Sequence, residues 1–329
     1  MKELIKRLVE AYGPAGSEEC VRNLIMEEVR PYVDEVQVDA LGNLIAIKRG
    51  GSKKLMLSSH MDEIGVMVTH IDENGFLRFY NVGGLSPFSL IGNRCYFANG
   101  TVGVFGTEQL DAMKDLTMSK MFIDIGAASR EEAAEKVRIG DTAAIKREFV
   151  DLGNRLVAKA MDDRIACAIQ IEALKQVEKP VYDVYAVFSV QEEVGLRGAR
   201  VAAFGITPDL GIAIDVTRTG DTPKSATMDV ALGKGPTVKV RDSSVLCTPA
   251  VRHHMEEVAK ANNIPYQLEV LERGGTDAGA IQLTKSGVPA GVMSIPCRYI
   301  HTASEMVDYR DVEHGVRFLV KLMETEYKG

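Results

Sequence analysis

Apolar residues recur at helical spacing from the start of the chain. Leu4, Ile5, Leu8 and Val9 share one face of "KELIKRLVEAYG", which predicts a helix ended by Gly13. A second helix is expected from near Ser17 to just before Pro31, and "VQVDALGNLIAIK" reads as two short strands around Gly42 and Asn43. "KKLMLSSH" is then a buried strand running into His60. After residue 64 the period shortens. "GVMVTHIDENGFLRFYNVGG" predicts a hairpin turning at Asn74-Gly75, and "RCYFANGTVGVFG" another at Asn99-Gly100. A short helix follows, with Ser129 as N-cap and Glu132 closing a capping box. "DTAAIKREF" and "NRLVAKA" read as further strands. Helix and strand then alternate again. A helix begins near Asp163, "VYDVYAVFSV" is a central strand, a helix reaches Gly205, and "LGIAIDV" is a strand. "TPAVRHHMEEVAKANN" is a helix with Thr248 as N-cap and Pro249 in its first turn. "YQLEVL", "DAGAIQLTKSG" and "VPAGVMSI" read as strand, helix and strand, and a last helix covers roughly 311 to 326.

This order predicts an α/β fold interrupted by a β-rich insert. Residues 1–65 and 156–329 form one discontinuous domain, and 66–155 form the insert. The 329 residues are 46% hydrophobic, enough for a substantial core, with no Trp. The net charge of −7 is spread without a basic block, which argues against nucleic acid as a partner. No apolar run approaches the roughly 18 residues of a membrane span, and the N-terminus lacks the apolar core of a signal peptide. Five scattered cysteines with no CxxC read as reduced packing residues, so a cytoplasmic location is expected.

Chemistry gathers where the apolar strands end. "LMLSSHMDEIG" delivers His60 and Asp62, "LVAKAMDDRIA" delivers Asp162 and Asp163, and "VFSVQEEVG" delivers Glu192 and Glu193. "GIAIDVTRTG" delivers Asp215, and "MSIPCRYIHTASE" delivers His301. Open α/β sheets bind ligands beyond the carboxyl ends of their strands. Several carboxylates in one poorly solvated cleft repel one another strongly, and divalent cations remove that difficulty. Two imidazoles with three or four carboxylates suit a zinc-like pair roughly 4 Å apart. One of the adjacent glutamates would be a ligand and the other a free proton acceptor. Taken singly these residues have plainer readings. Asp163 alone suits an N-cap, and His70, His253, His254 and His314 read as surface or packing histidines. Cys167 and Cys297 read as small core residues.

With "SSHMDEIGVMV", "KAMDDRIACA", "VQEEVGLRGA", "AIDV", "GGTDAGAI" and "RYIHTASEMVD", the chain resembles the M42 metallo-aminopeptidases, the tetrahedral or TET aminopeptidases, along essentially its whole length. The resemblance implies a zinc-exopeptidase-like mixed-sheet domain with a PDZ-like or barrel-like dimerisation insert, and two divalent cations per subunit, zinc, cobalt or manganese. It implies that His60, Asp162 and Asp215 hold one cation, and that Asp162, Glu193 and His301 hold the other. Glu192 is then the general base, Asp62 stands behind His60, and the peptide after Asp162 is cis. Gly274, Gly275, Thr276 and Asp277 are expected to line the substrate pocket, although a plain turn and helix cap at Thr276 or Asp277 explains the same residues. The substrates implied are peptides shortened from the N-terminus. Dimers are expected to join into a tetrahedral dodecamer of about 430 kDa, twelve copies of 35.9 kDa. Two other activities fit the same scaffold less well. One is deacylation of N-acyl amino acids. The other is endoglucanase action, which needs two carboxylates on opposite sides of a sugar bond.

Overall fold

In the computed structural model, which describes residues 1–329, the longest apolar runs form the middle of an eleven-stranded mixed sheet. Four strands lie side by side and parallel: Asp183–Ser189, Lys54–His60, Leu210–Thr217 and Ala290–Arg298. Strands buried on both faces need apolar residues at successive positions. In Lys54–His60 the two layers separate residue by residue: Leu55 and Leu57 enter one core and Met56 the other. The first core is covered by the helices Lys2–Glu10, Glu19–Val29, Met161–Gln176 and Tyr309–Glu324, whose apolar residues join it. The second is covered by Arg197–Ile206 and Asp277–Gln282. Met161–Gln176 is buried along nearly its whole length, so its first turn is held from several sides.

Antiparallel strands complete the sheet. Glu35–Val38 and Leu44–Lys48 form one edge, while Glu305–Asp308, Arg155–Ala158 and Val150–Asp151 form the other. Thr237–Arg241 and Gln267–Val270 make a side branch on Ala290–Arg298. Between Gly65 and Lys146, six strands close into a barrel, with Gly65–Ile71 pairing with Thr142–Lys146 to shut it. Its interior holds Val66, Val68, Phe79, Phe97, Phe105 and Ile123, a core separate from those of the sheet. Closure removes the exposed edges that six short strands would otherwise present. The short strand Val150–Asp151, inside the span 66–155 expected for the insert, pairs with Arg155–Ala158 in the large sheet instead.

Two caps differ from expectation. The Ser129 hydroxyl accepts from the Glu132 N–H as predicted, but the Glu132 carboxylate accepts from the N–H of Ala128, one residue before the cap. The Thr248 side chain does not cap its helix; its hydroxyl accepts from the N–H of Ala290 and ties the helix start to the sheet.

Candidate metal centre

Four parallel strands bring their carboxyl ends to one place. His60 is the last residue of Lys54–His60, Asp215 lies near the end of Leu210–Thr217, and Glu192 and Glu193 follow Asp183–Ser189. His301 follows Ala290–Arg298 with a φ of 64°. Asp162 enters from the first turn of Met161–Gln176, after Ala160 at φ 53° and before a cis Asp162–Asp163 peptide. The two carboxylate oxygens of Asp162 diverge. Oδ1 lies 3.1 Å from His60 Nε2, and Oδ2 lies 3.3 Å from His301 Nε2. Asp162 thereby joins two groups, His60–Asp162–Asp215 and Asp162–Glu193–His301, each with its ligand atoms within 4.8 Å of one another. Glu193 Oε1 is 3.1 Å from His301 Nε2, whereas Glu192 Oε2 comes only within 4.0 Å of His60 Nε2 and belongs to neither group.

The electrostatics show a shortage of positive charge. Burial alone would raise Asp162, but the imidazoles of His301 and His60 outweigh it and hold the carboxyl well below its usual range. Burial would lower both imidazoles, and the facing carboxylates reverse that. His60 rises well above normal, and His301 reaches about 12. Burial pushes Glu192 and Asp215 well above the carboxylate range, with neighbouring acids adding to each, and it raises Glu193 as well. Asp163 Oδ1 is buried without a hydrogen-bond partner. Buried polar oxygens are costly when unpartnered. Oxygen and imidazole donors of this kind suit zinc, cobalt or manganese, so the residues present fit a pair of divalent cations.

The support behind these side chains is specific. His60 Nδ1–H donates to the main-chain carbonyl of Asp62 at 3.0 Å, which leaves Nε2 facing Asp162. The Asp62 carboxylate is 3.5 Å from the same nitrogen and accepts instead from the backbone N–H groups of Glu192 and Glu193, at 2.9 and 3.1 Å. One side chain therefore orients the strand end that carries both glutamates. Sequence reasoning missed Glu305. It is buried, accepts from the N–H of Asp162 at 2.9 Å and of His301 at 2.7 Å, and is raised to about 8 by burial and by the Asp162 charge. Its place four residues after His301 was the available signal. Glu63, Lys159 and Arg164 were missed too. The Lys159 ammonium meets Glu63 at 2.6 Å, and the buried Arg164 guanidinium donates to the Leu8 carbonyl at 2.7 Å, next to the Asp162–Asp163 turn. From the barrel, Gly83 (φ 81°) and Gly84 press on the site. A Cβ at Gly84 would stand 2.8 Å from His301 Nδ1, and one at Gly83 would stand 3.1 Å from Glu193 Oε2.

Of the expected pocket residues, Gly274 and Gly275 line the cavity of about 440 Å³ that holds His60, Asp162, Glu192, Glu193, Asp215 and His301. Thr276 and Asp277 are buried beneath it. The Asp277 carboxylate accepts from Ser58 and Ser189, both at 2.6 Å, and Thr276 starts the helix without a side-chain cap. Cys167 and Cys297 are buried, and the Cys167 thiol donates to the His60 carbonyl at 3.2 Å. No helix is long and apolar enough to cross a membrane.

Comparison with known proteins shows the family and the fold. The family model described as M42 glutamyl aminopeptidase matches residues 42–318. A protein of Acetivibrio thermocellus named a candidate aminopeptidase is 53% identical over 98% of both chains. The lysyl aminopeptidase of Pyrococcus furiosus is 40% identical, covering 98% of this chain and 96% of its own. Among solved structures, an aminopeptidase from Desulfurococcus kamchatkensis superposes with a TM-score of 0.95 at 39% identity, over 99% of this chain and 97% of its own. The TET1 peptidase of Pyrococcus horikoshii, described as able to assemble into a tetrahedron or a large octahedral shell, gives 0.88 at 33%, over 99% of both chains. A Thermotoga maritima protein named endoglucanase gives 0.83 at 33%, over 97% of this chain and 96% of its own. With the fold, the strand-end cluster and a family match over most of its length in agreement, the chain belongs to the M42 glutamyl aminopeptidase family of peptidases.

Proposed function

We propose that the protein is a two-metal aminopeptidase that removes N-terminal residues from peptides. The observation that carries this reading is Asp162, whose two oxygens each face one imidazole and so link two three-residue groups. His60, Asp162 and Asp215 would hold one cation, and Asp162, Glu193 and His301 the other. A bound pair supplies Lewis acidity, lowering the pKa of water and polarising the scissile carbonyl. Glu192, tied to neither group, takes the proton of the attacking water and passes it to the leaving amine. Asp62 aims Glu192 and Glu193 through their backbone N–H groups, and Glu305 holds Asp162 and His301 in the same way. Gly274 and Gly275 keep one wall of the cavity open where the substrate lies.

Glycoside hydrolysis fits less well, because Glu193 is committed to His301 at 3.1 Å and leaves no opposed carboxylate pair for a sugar bond. Assays of aminoacyl anilides, N-acyl amino acids and carboxymethylcellulose, each with and without added cobalt or zinc, separate the peptidase, deacylase and endoglucanase readings. Metal-dependent release from aminoacyl anilides alone is expected, and cleavage of cellulose alone would overturn the proposal. Self-association is part of the same reading. Tyr80 and Phe88 on the barrel are 68% and 59% exposed, and Phe204 and Leu283 on the sheet side are 64% and 77% exposed. Apolar surface of this kind marks interfaces, and the TET1 relative assembles into closed shells. The five free cysteines suit a reducing, cytoplasmic setting.

A further inference from the structure

The turn that carries Glu192 is held by side chains from separate parts of the chain. Between the strand Asp183–Ser189 and the helix Arg197–Ile206, successive backbone N–H groups each meet a side-chain oxygen. Val190 donates to Asn43 Oδ1 at 3.0 Å, Gln191 donates to Glu18 Oε1 at 3.1 Å, and Glu192 and Glu193 donate to Asp62. Asn43 also closes the far end of the turn, where its Nδ2–H donates to the Gly198 carbonyl at 2.9 Å.

Glu18 is the member of this set that its own neighbourhood explains least. It stands just before the helix Glu19–Val29, yet its side chain makes no capping hydrogen bond there. The residue is 6% exposed, and Oε1 accepts from the Gly16 N–H at 2.7 Å as well as from Gln191. A buried carboxylate is costly unless it is hydrogen-bonded, and burial and the Asp62 charge both push this carboxyl up while the N–H groups of Gly16 and Gln191 pull it down. Gln191 has a φ of 56°, in the left-handed region that residues other than glycine rarely adopt. Such a conformation persists where its surroundings fix it. The next residue is the one whose direction matters. The Glu193 carboxylate is fixed by His301 at 3.1 Å, whereas Glu192 comes no closer than 4.0 Å to His60 Nε2. The aim of Glu192 is therefore set by its backbone.

We propose that Glu18 is a positioning residue for the proton acceptor: its carboxylate fixes the Gln191 N–H and so aims Glu192 into the cavity. The inference rests on the aminopeptidase reading, which gives Glu192 its role. It adds a residue that lines neither the cavity nor a metal group.

The test uses the full-length, metal-loaded protein with its best-cleaved aminoacyl anilide. Glu18→Gln keeps an oxygen acceptor at the same reach without the charge, Glu18→Asp keeps the charge one methylene short, and Glu18→Met keeps the length without the oxygen. In Glu18→Met, kcat should fall about tenfold to a hundredfold, as for a slightly misplaced reacting group. KM and metal content should stay close to those of the wild type, the split expected when only the transition state loses an interaction. Glu18→Gln should recover most of the rate, and Glu18→Asp less. Hydrogen exchange followed by mass spectrometry gives a readout apart from activity: residues 190–196 should exchange faster in Glu18→Met and Glu18→Asp than in the wild type and Glu18→Gln, with the barrel unchanged. Should Glu18→Met fail to fold, the Glu18→Asp and Glu18→Gln pair carries the same comparison. An unchanged kcat, a loss that Glu18→Gln does not reverse, or unaltered exchange in 190–196 would overturn the positioning role. Failure of the wild type to cleave any aminoacyl anilide would instead remove the aminopeptidase reading, and the exchange measurement would still decide whether Glu18 holds the turn.

Discussion

In the proposed mechanism Asp162, Glu192 and Glu193, chemically similar groups, do different work. Glu192→Gln keeps the shape and removes the proton acceptor, so turnover should fall by about two to four orders of magnitude while two cations remain bound. Glu193→Gln should instead lower the metal content toward one cation per chain. Elemental analysis beside the rate measurement distinguishes the two, and the reverse pattern would swap the roles. Glu305→Gln probes a side chain that accepts the N–H groups of Asp162 and His301 without entering either metal group. Supporting partners of this kind change metal affinity by about 10–100-fold. Titration of the stripped protein with zinc should show that loss, and unchanged affinity would show that Glu305 only fills space.

At the level of elements, the strand Thr237–Arg241 carries a polar core of its own. The Lys239 ammonium is fully buried between Asp242 at 3.1 Å and Glu269 at 3.0 Å, and Glu269 also accepts from Thr217 at 2.7 Å. Asp242 accepts from the N–H of Ser244 at 2.7 Å, and Ser244 Oγ accepts from the N–H of Thr276 at 3.1 Å, which steadies the loop carrying Gly274 and Gly275. Lys239→Met leaves two acids buried without their cation and should cost about 3–5 kcal/mol in chemical denaturation. Adding Glu269→Gln should recover part of it. The same strand explains where the sequence was opaque. Strands such as Lys54–His60 and Leu210–Thr217 are apolar at successive positions and were legible, as were the hairpins with Asn-Gly turns. "TVKVR" hides its inward position behind a lysine, and the four-residue strands Met121–Asp124 and Glu305–Asp308 are too short to show a period. The residues that cluster at the candidate metal centre were readable because each ends or follows an apolar run. Lys159 and Arg164 were not, and Glu305 only through its nearness to His301, since their other partners, Glu63, the Leu8 carbonyl and the Asp162 N–H, are distant in sequence.

For the whole molecule, prolonged chelation should abolish aminopeptidase activity, and zinc or cobalt should restore it; full activity in a verified metal-free sample would remove the two-metal reading. Light scattering of the loaded protein should report a particle near 430 kDa if twelve copies of 35.9 kDa close as a tetrahedron. A stable monomer would exclude the shell. The barrel supplies no side chain to the metal groups, yet its Gly83-Gly84 corner stands against Glu193 and His301 with no room for a methyl group. Gly84→Ala should therefore weaken the cation site built from Asp162, Glu193 and His301. A chimera that receives its barrel from a distant homologue would keep or lose its chemistry according to this corner, decided by two positions that carry no functional group at all.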